Sequence, residues 1–71
     1  MNKSFSIELS IDKEELKSTL LAIGAKRVLF GEVEKINGVK MLECSVKFYE
    51  SREDEIMDFL RNKNGVHFFR F

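Results

Sequence analysis

The dipeptide Asn37-Gly38 constrains the fold of this chain more than any other feature, because it joins two runs rich in strand-forming residues. An Asn-Gly pair in that setting is the strongest short-range signal of a β-hairpin, since a type I′ turn requires positive φ at both central residues. The preceding run covers residues 26–36 and the following run covers residues 41–49. The sequence therefore predicts a hairpin of two antiparallel strands in the middle of the chain.

A strand and a helix are predicted before this hairpin. Residues 4–11 alternate between apolar and polar side chains, which predicts a strand with one buried face. Asp12 follows as the N-cap of a helix, and Glu15 completes a capping box three residues later. Gly24 is placed to end this helix in the left-handed conformation. The buried stripe of the helix is Leu16, Leu20 and Ile23.

A second helix and a last strand are predicted after the hairpin. Ser51 and Asp54 are expected to cap the helix, Asn64-Gly65 is expected to end it, and residues 66–71 form the strand. The buried stripe of this helix is Ile56, Phe59, Leu60 and the stem of Lys63.

The resulting order, β-α-β-β-α-β in 71 residues, is that of the ferredoxin-like α+β fold. It predicts one domain, residues 1–71, in which two helices cover one face of a four-stranded antiparallel sheet. The first and third strands lie in the middle of that sheet, and the second and fourth strands lie at its edges.

Composition indicates a small globular domain without a strongly charged partner. The 12 basic and 12 acidic residues cancel, so there is no electrostatic reason to expect nucleic acid or an anionic membrane as a partner. The middle of the open sheet face, where RNA-binding domains of this topology stack bases on aromatic rings, would be polar. The polar positions of that face are Ser6, Glu8, Ser10, Glu43, Ser45 and Lys47.

The single cysteine and the lack of a long apolar run predict a cytoplasmic protein without direct membrane insertion.

No pattern of side chains predicts catalysis, a metal site or a cofactor. His67 is the only histidine and has no cluster of ligands near it in sequence, so a half-exposed strand residue is expected. Cys44 falls on the inward face of the third strand, where a free cysteine behaves as a small hydrophobe. Glu32 and Glu34 would lie roughly 7 Å apart on the second strand, without a cleft that would make them an acid–base pair.

Apolar residues outside the core predict self-association. Alternation in the second strand places Val28 and Phe30 on one face and Leu29 and Val33 on the other, with a β-bulge or a close backbone approach at Gly31. The last strand presents either His67, Phe69 and Phe71 or Val66, Phe68 and Arg70 to the open face. We therefore expect a homodimer through an edge strand or the open sheet face. Its predicted interface is Leu29, Val33, Phe69 and Phe71.

The second half of the chain resembles a known family. Residues 27–38 read RVLFGEVEKING, and a strand, an acidic helix and Gly65-Val66 follow. This pattern is similar to the NIL domain, the small regulatory domain at the C-terminus of bacterial methionine-importer ATPases. Arg27 and Leu42 depart from the family pattern, which has Asn and Gly there. The resemblance implies a dimer that binds methionine or a similar small apolar amino acid near its interface. In the full importer, that binding inhibits transport.

These observations predict a non-enzymatic, dimeric regulatory domain that binds a small apolar amino acid such as methionine. Gly31 would allow a ligand or a partner backbone to approach closely. The alternative, from another class, is a protein–protein interaction module that uses the same apolar sheet edge and has no small-molecule ligand. The predicted ligand-facing residues are Leu29, Gly31, Val33 and Met41.

Overall fold

The computed structural model describes residues 1–68, and in that part of the chain it has two α-helices and one four-stranded sheet. The sheet is antiparallel in the order β2-β3-β1-β4, so β1 and β3 are central and β2 and β4 are edges. This confirms the ferredoxin-like α+β fold. The elements are β1 (Asn2–Glu8), α1 (Lys13–Ala22), β2 (Ala25–Ile36), β3 (Val39–Phe48), a 3-10 turn (Glu50–Arg52), α2 (Glu53–Asn62) and β4 (Val66–His67).

The hairpin turn joins the two longest strands and has the predicted geometry. Asn37 has φ of 50° and Gly38 has φ of 83°, so both central residues are in the positive region that a type I′ turn needs. Ile36 and Val39 pair directly on either side of them. Local sequence alone is therefore sufficient to place this turn.

The core lies between one face of the sheet and both helices. Strands β1 and β3 contribute alternate side chains to it, and each helix contributes residues three or four positions apart. Fully burying a Leu, Ile, Val or Phe side chain contributes about 1.5–3 kcal/mol to folding, so this cluster is the main source of stability. Its largest fully buried members are Phe5, Ile7, Leu16, Leu20, Cys44, Val46, Ile56 and Leu60.

The first strand ends earlier than predicted. β1 stops at Glu8, and the chain turns there because the Ile11 amide donates a hydrogen bond to the Glu8 carbonyl at 3.1 Å. Leu9, which was expected on the buried face, is instead 52% exposed. The expected N-cap of α1 is confirmed, since Asp12 Oδ1 accepts hydrogen bonds from the amides of Glu14 and Glu15.

The start of α2 differs from the prediction. Ser51 lies inside the 3-10 turn, which is closed by a 2.8 Å hydrogen bond from the Arg52 amide to the Tyr49 carbonyl. The helix begins after Arg52 without a side-chain cap. Its first turn is acidic, which complements the positive end of the helix dipole, and Arg52 forms an ion pair with Glu55. The prediction that Ser51 is the N-cap of α2 is therefore wrong.

Strand β2 contains an extra residue near its start. Ala25 is opposite Phe48, but the next paired residue, Arg27, is opposite Lys47. Lys26 is therefore accommodated as a β-bulge. No bulge was expected at this position from the sequence.

A second bulge in β2 confirms the prediction at Gly31. Phe30 is opposite Cys44 and Val33 is opposite Leu42, so three steps along β2 match two along β3. The extra residue shifts the alternation of side chains between the two faces by one position, so Val33 lies on the helix-covered side with Leu42.

The two β2 residues that were expected on one face therefore lie on opposite faces. Leu29 is opposite Ser45, on the open face, whereas Val33 is on the covered face. The predicted shared face of Leu29 and Val33 is wrong, because counting alternate residues ignores the extra residue of the bulge.

Strand β4 pairs with β1 through two residues. His67 is opposite Ser6 on the open face, and Val66 is opposite Ile7 on the core side. Phe68 lies beyond the strand, with its ring centroid 6.1 Å from that of Phe5. The other predicted members of this strand, Phe69, Arg70 and Phe71, lie outside the described residues.

Two glycines give a matched test of this geometry. Gly65 and Gly38 have similar φ values of +89° and +83°, but a Cβ at Gly65 would lie 2.8 Å from Ile11 Cδ1, whereas nothing lies within 4 Å of one at Gly38. Gly38→Ala should lower the unfolding free energy by about 1–2 kcal/mol, the cost of a left-handed residue. Gly65→Ala should lower it by about 1 kcal/mol more, because of crowding. Urea unfolding measures both values, and equal losses would contradict the packing of Gly65 on the β1–α1 turn.

Candidate functional site

An apolar cleft lies on the helix-covered side of the sheet, where β1 ends and α1 begins. Its volume is about 170 Å³. Ile7 and Leu42 come from the central strands, Val33 comes from the edge strand, and the β1–α1 turn forms the opposite wall. The lining residues of this apolar cleft are Ile7, Glu8, Leu9, Ile11, Lys13, Val33 and Leu42.

Two features of the backbone form the cleft. The second bulge brings Val33 to this side of the sheet, and the early end of β1 leaves Leu9 beside it. Both side chains remain more than half exposed, Val33 at 53% and Leu9 at 52%. An apolar group that entered the cleft would therefore remove apolar surface from water.

Among the described residues, one cation, Lys13, and one carboxylate, Glu8, line this cleft. Lys13 is the first residue of α1, and its Nζ lies 5.9 Å from the centroid of the Phe30 ring. That distance is within the range of a cation–π contact, which favours keeping the ammonium near the cleft. The arrangement offers an apolar floor for a side chain and a positive charge for a carboxylate.

A second concavity, of about 320 Å³, lies on the open face of the sheet. It is at the end of the sheet where β1 begins and β3 ends. We refer to it as the open-face concavity. Its lining residues are Asn2, Arg27, Leu29, Ser45 and Lys47.

The opposite end of the open face is acidic. Met41 lies in register between Glu8 and Glu34, and Glu43 follows two residues along β3. Glu8 Oε2 is 3.3 Å from His67 Nε2, and each of these side chains is 43% exposed. His67 therefore has the partly exposed position that was expected of it.

The four predicted ligand-facing residues do not converge on one site. Val33 lines the apolar cleft and Leu29 lines the open-face concavity. Gly31 lies in the second bulge, where a Cβ would be 3.3 Å from Glu43 Oε2. Met41 is only 7% exposed and lines neither concavity.

Sequence reasoning missed most of the lining residues. Ile7 and Leu42 were expected only as core residues, and Lys13 was not singled out. The one available signal was the Asp12 cap, which places the next residue, Lys13, on the first turn of the helix.

Cys44 is buried as predicted, and its environment makes it inert. The side chain is 1% exposed, and its Sγ donates a hydrogen bond to the Leu42 carbonyl at 3.6 Å. Burial, with a smaller contribution from the negative charge of Glu43, raises the pKa of the Cys44 thiol to about 12. A thiol with so high a pKa carries almost no thiolate at neutral pH, so Cys44 is a poor nucleophile.

No three His, Cys, Asp or Glu side chains within residues 1–68 are grouped so that they could hold a metal ion. No helix in the same range is both long and apolar enough to cross a membrane.

Comparisons with known proteins identify no relative: no protein-family model, no curated protein and no solved structure matches the chain. The resemblance to the NIL domain thus stays a prediction from sequence.

The raised pKa of Cys44 predicts a specific loss of stability in alkali. Between its ordinary pKa of 9.0 and about 12, the unfolded chain releases the thiol proton while the folded chain keeps it. The unfolding free energy should fall with rising pH in this window by up to about 1.4 kcal/mol per pH unit. Cys44→Ala should be less stable at pH 7, through lost packing, but should lack this part of the slope. Urea unfolding from pH 7 to 11 measures the unfolding free energy of both proteins. If this free energy fell equally steeply with pH in both, the raised pKa of Cys44 would be contradicted.

Proposed function

We propose that this chain is a non-enzymatic regulatory domain that binds a small apolar amino acid, such as methionine, in the apolar cleft. The observation that supports the proposal is the combination of apolar walls with the cation of Lys13 and the carboxylate of Glu8.

The size of the cleft limits the ligand. Its volume of about 170 Å³ is smaller than the roughly 300–1,000 Å³ of pockets for drug-sized molecules. A ligand that fills it has about one amino-acid side chain to bury. A flexible thioether chain suits such a space, because methionine adapts to irregular apolar surroundings.

The charge of the cleft limits the ligand further. Lys13 is exposed and can turn its ammonium toward a carboxylate in the cleft. A hydrogen bond between two such ionised groups is roughly twice as strong as a neutral one. Leu9 and Val33 would be covered by the ligand, and each Å² of apolar surface buried contributes about 25 cal/mol.

The outer edge of β2 supports a homodimer. β2 has a neighbouring strand on one side only among the described residues, so its outer backbone groups are available for pairing. Arg27 lies in its first half, and Glu32 and Glu34 lie in its second half. Antiparallel pairing of two copies about a two-fold axis would bring opposite charges together. A protein–protein interaction module without a small ligand would use the same edge and is the second candidate function.

Methionine binding can be tested by titrating the ¹⁵N-labelled protein and following its amide signals. Shifts are expected at Leu9, Ile11 and Val33, which line the cleft. Lys13→Gln should weaken binding by about tenfold or more, through loss of a charged hydrogen bond. Lys17→Gln, which removes an exposed charge of α1 outside the cleft, is the control and should have no effect.

Methioninol, which lacks the carboxylate, sharpens this test. It should bind the unchanged protein weakly and should lose little further affinity in Lys13→Gln. An absence of shifts at millimolar methionine would refute the amino-acid proposal and favour the interaction module.

The homodimer has its own test in light scattering at high protein concentration. Dimers are expected, Glu34→Lys should weaken them, and the double variant Arg27→Glu/Glu34→Lys should restore them. A monomer at all concentrations would exclude self-association, whatever the result with methionine.

A further inference from the structure

Two cations lie side by side on the open face of the sheet. Arg27 of β2 is directly opposite Lys47 of β3, and both are exposed. Like charges at directly opposed positions destabilise a sheet. Within residues 1–68, neither side chain takes part in a described ion pair or hydrogen bond that would offset this repulsion.

The first bulge of β2 creates this pair. In a regular ladder that continued from Ala25, Lys26 would be opposite Lys47, and Arg27 would turn toward the core. The extra residue instead directs Arg27 to the open face. The Lys26 ammonium lies 4.2 Å from the centroid of the Tyr49 ring. Bulges often re-aim a side chain next to a functional site.

The surroundings of the pair are suited to an anion. Asn2 and Ser45, whose side-chain amide and hydroxyl can donate hydrogen bonds, also line the open-face concavity, and none of its lining residues within 1–68 is acidic. Leu29 forms an apolar part of its wall and is 54% exposed. The carboxylates on the same face lie nearer the other end of the sheet; they are Glu8, Glu34 and Glu43.

We propose that the open-face concavity binds a phosphate monoester, with the phosphate between Arg27 and Lys47 and the apolar part of the molecule on Leu29. The guanidinium of Arg27 can donate two parallel hydrogen bonds to one phosphate, and Lys47 adds a second positive charge. Two cations favour a dianionic phosphate over a singly charged carboxylate. This site lies on the opposite side of the sheet from the apolar cleft and does not depend on it.

Phenyl phosphate, benzoate and inorganic phosphate are the probes, titrated into the labelled protein at constant ionic strength. Phenyl phosphate should shift the amides of Leu29, Ser45 and Lys47 and should bind more tightly than the other two. Arg27→Gln and Lys47→Gln should each weaken it by about tenfold or more, since each removes a charged contact. Leu29→Ser should bring the affinity for phenyl phosphate close to that for inorganic phosphate.

The control is a second cross-strand pair of like charge. Lys35 is opposite Lys40 near the hairpin turn, and both are exposed, but neither lines a concavity described above. Lys40→Gln removes the same charge as Lys47→Gln and should leave phenyl phosphate binding unchanged. The Lys47→Gln variant should also give the amide spectrum of a folded protein. Its midpoint of thermal unfolding, measured without ligand, should not be lower than that of the unchanged protein.

Three results would overturn the proposal. The first is an absence of shifts at millimolar phenyl phosphate. The second is an equal loss of affinity in Lys40→Gln and Lys47→Gln, which would indicate attraction to overall charge. The third is tighter binding of benzoate than of phenyl phosphate, which would indicate a carboxylate site.

Discussion

The pairing register of β2 against β3 is the constraint on which the rest of this structure depends. Because side chains alternate between the two faces of a strand, each extra residue exchanges the faces of all the residues that follow it. β2 has two such residues, one at Lys26 and one in the Gly31–Glu32 step. Between the bulges, Val28 enters the core and Leu29 faces out; beyond the second bulge, Val33 is on the covered side. Both concavities of the described chain depend on these changes of face.

The two sides of the sheet consequently offer different chemistry. The covered side is packed against the helices, and the small apolar cleft lies on it beside the start of α1. The open side separates its charges, with Arg27 and Lys47 at one end and Glu8 and Glu34 at the other. The chain as a whole has zero net charge, so this separation is not visible in its composition. The apolar cleft and the pair of cations therefore lie on opposite faces of the sheet.

The sequence was sufficient for features that depend on a few neighbouring residues. The turn at Asn37-Gly38, the cap at Asp12 and the bulge at Gly31 each follow from local backbone preference, and the order of elements follows from them. The face of Val33 did not follow, because a strand pattern does not show which residue a bulge leaves unpaired. Lys26 gave no signal, since nothing in its residue type favours a bulge. The cleft was missed because the early end of β1 results from a turn closed by backbone groups.

Cross-strand nuclear Overhauser effects between backbone protons of β2 and β3 test this account most directly. In the register of the two strands, Leu29 is opposite Ser45 and Val33 is opposite Leu42. A regular ladder continued from Phe30 would instead place Val33 opposite Met41. Contacts between Val33 and Leu42 would support the division of the two sites between the faces of the sheet. Contacts between Val33 and Met41 would contradict it and return Val33 to the open face with Leu29.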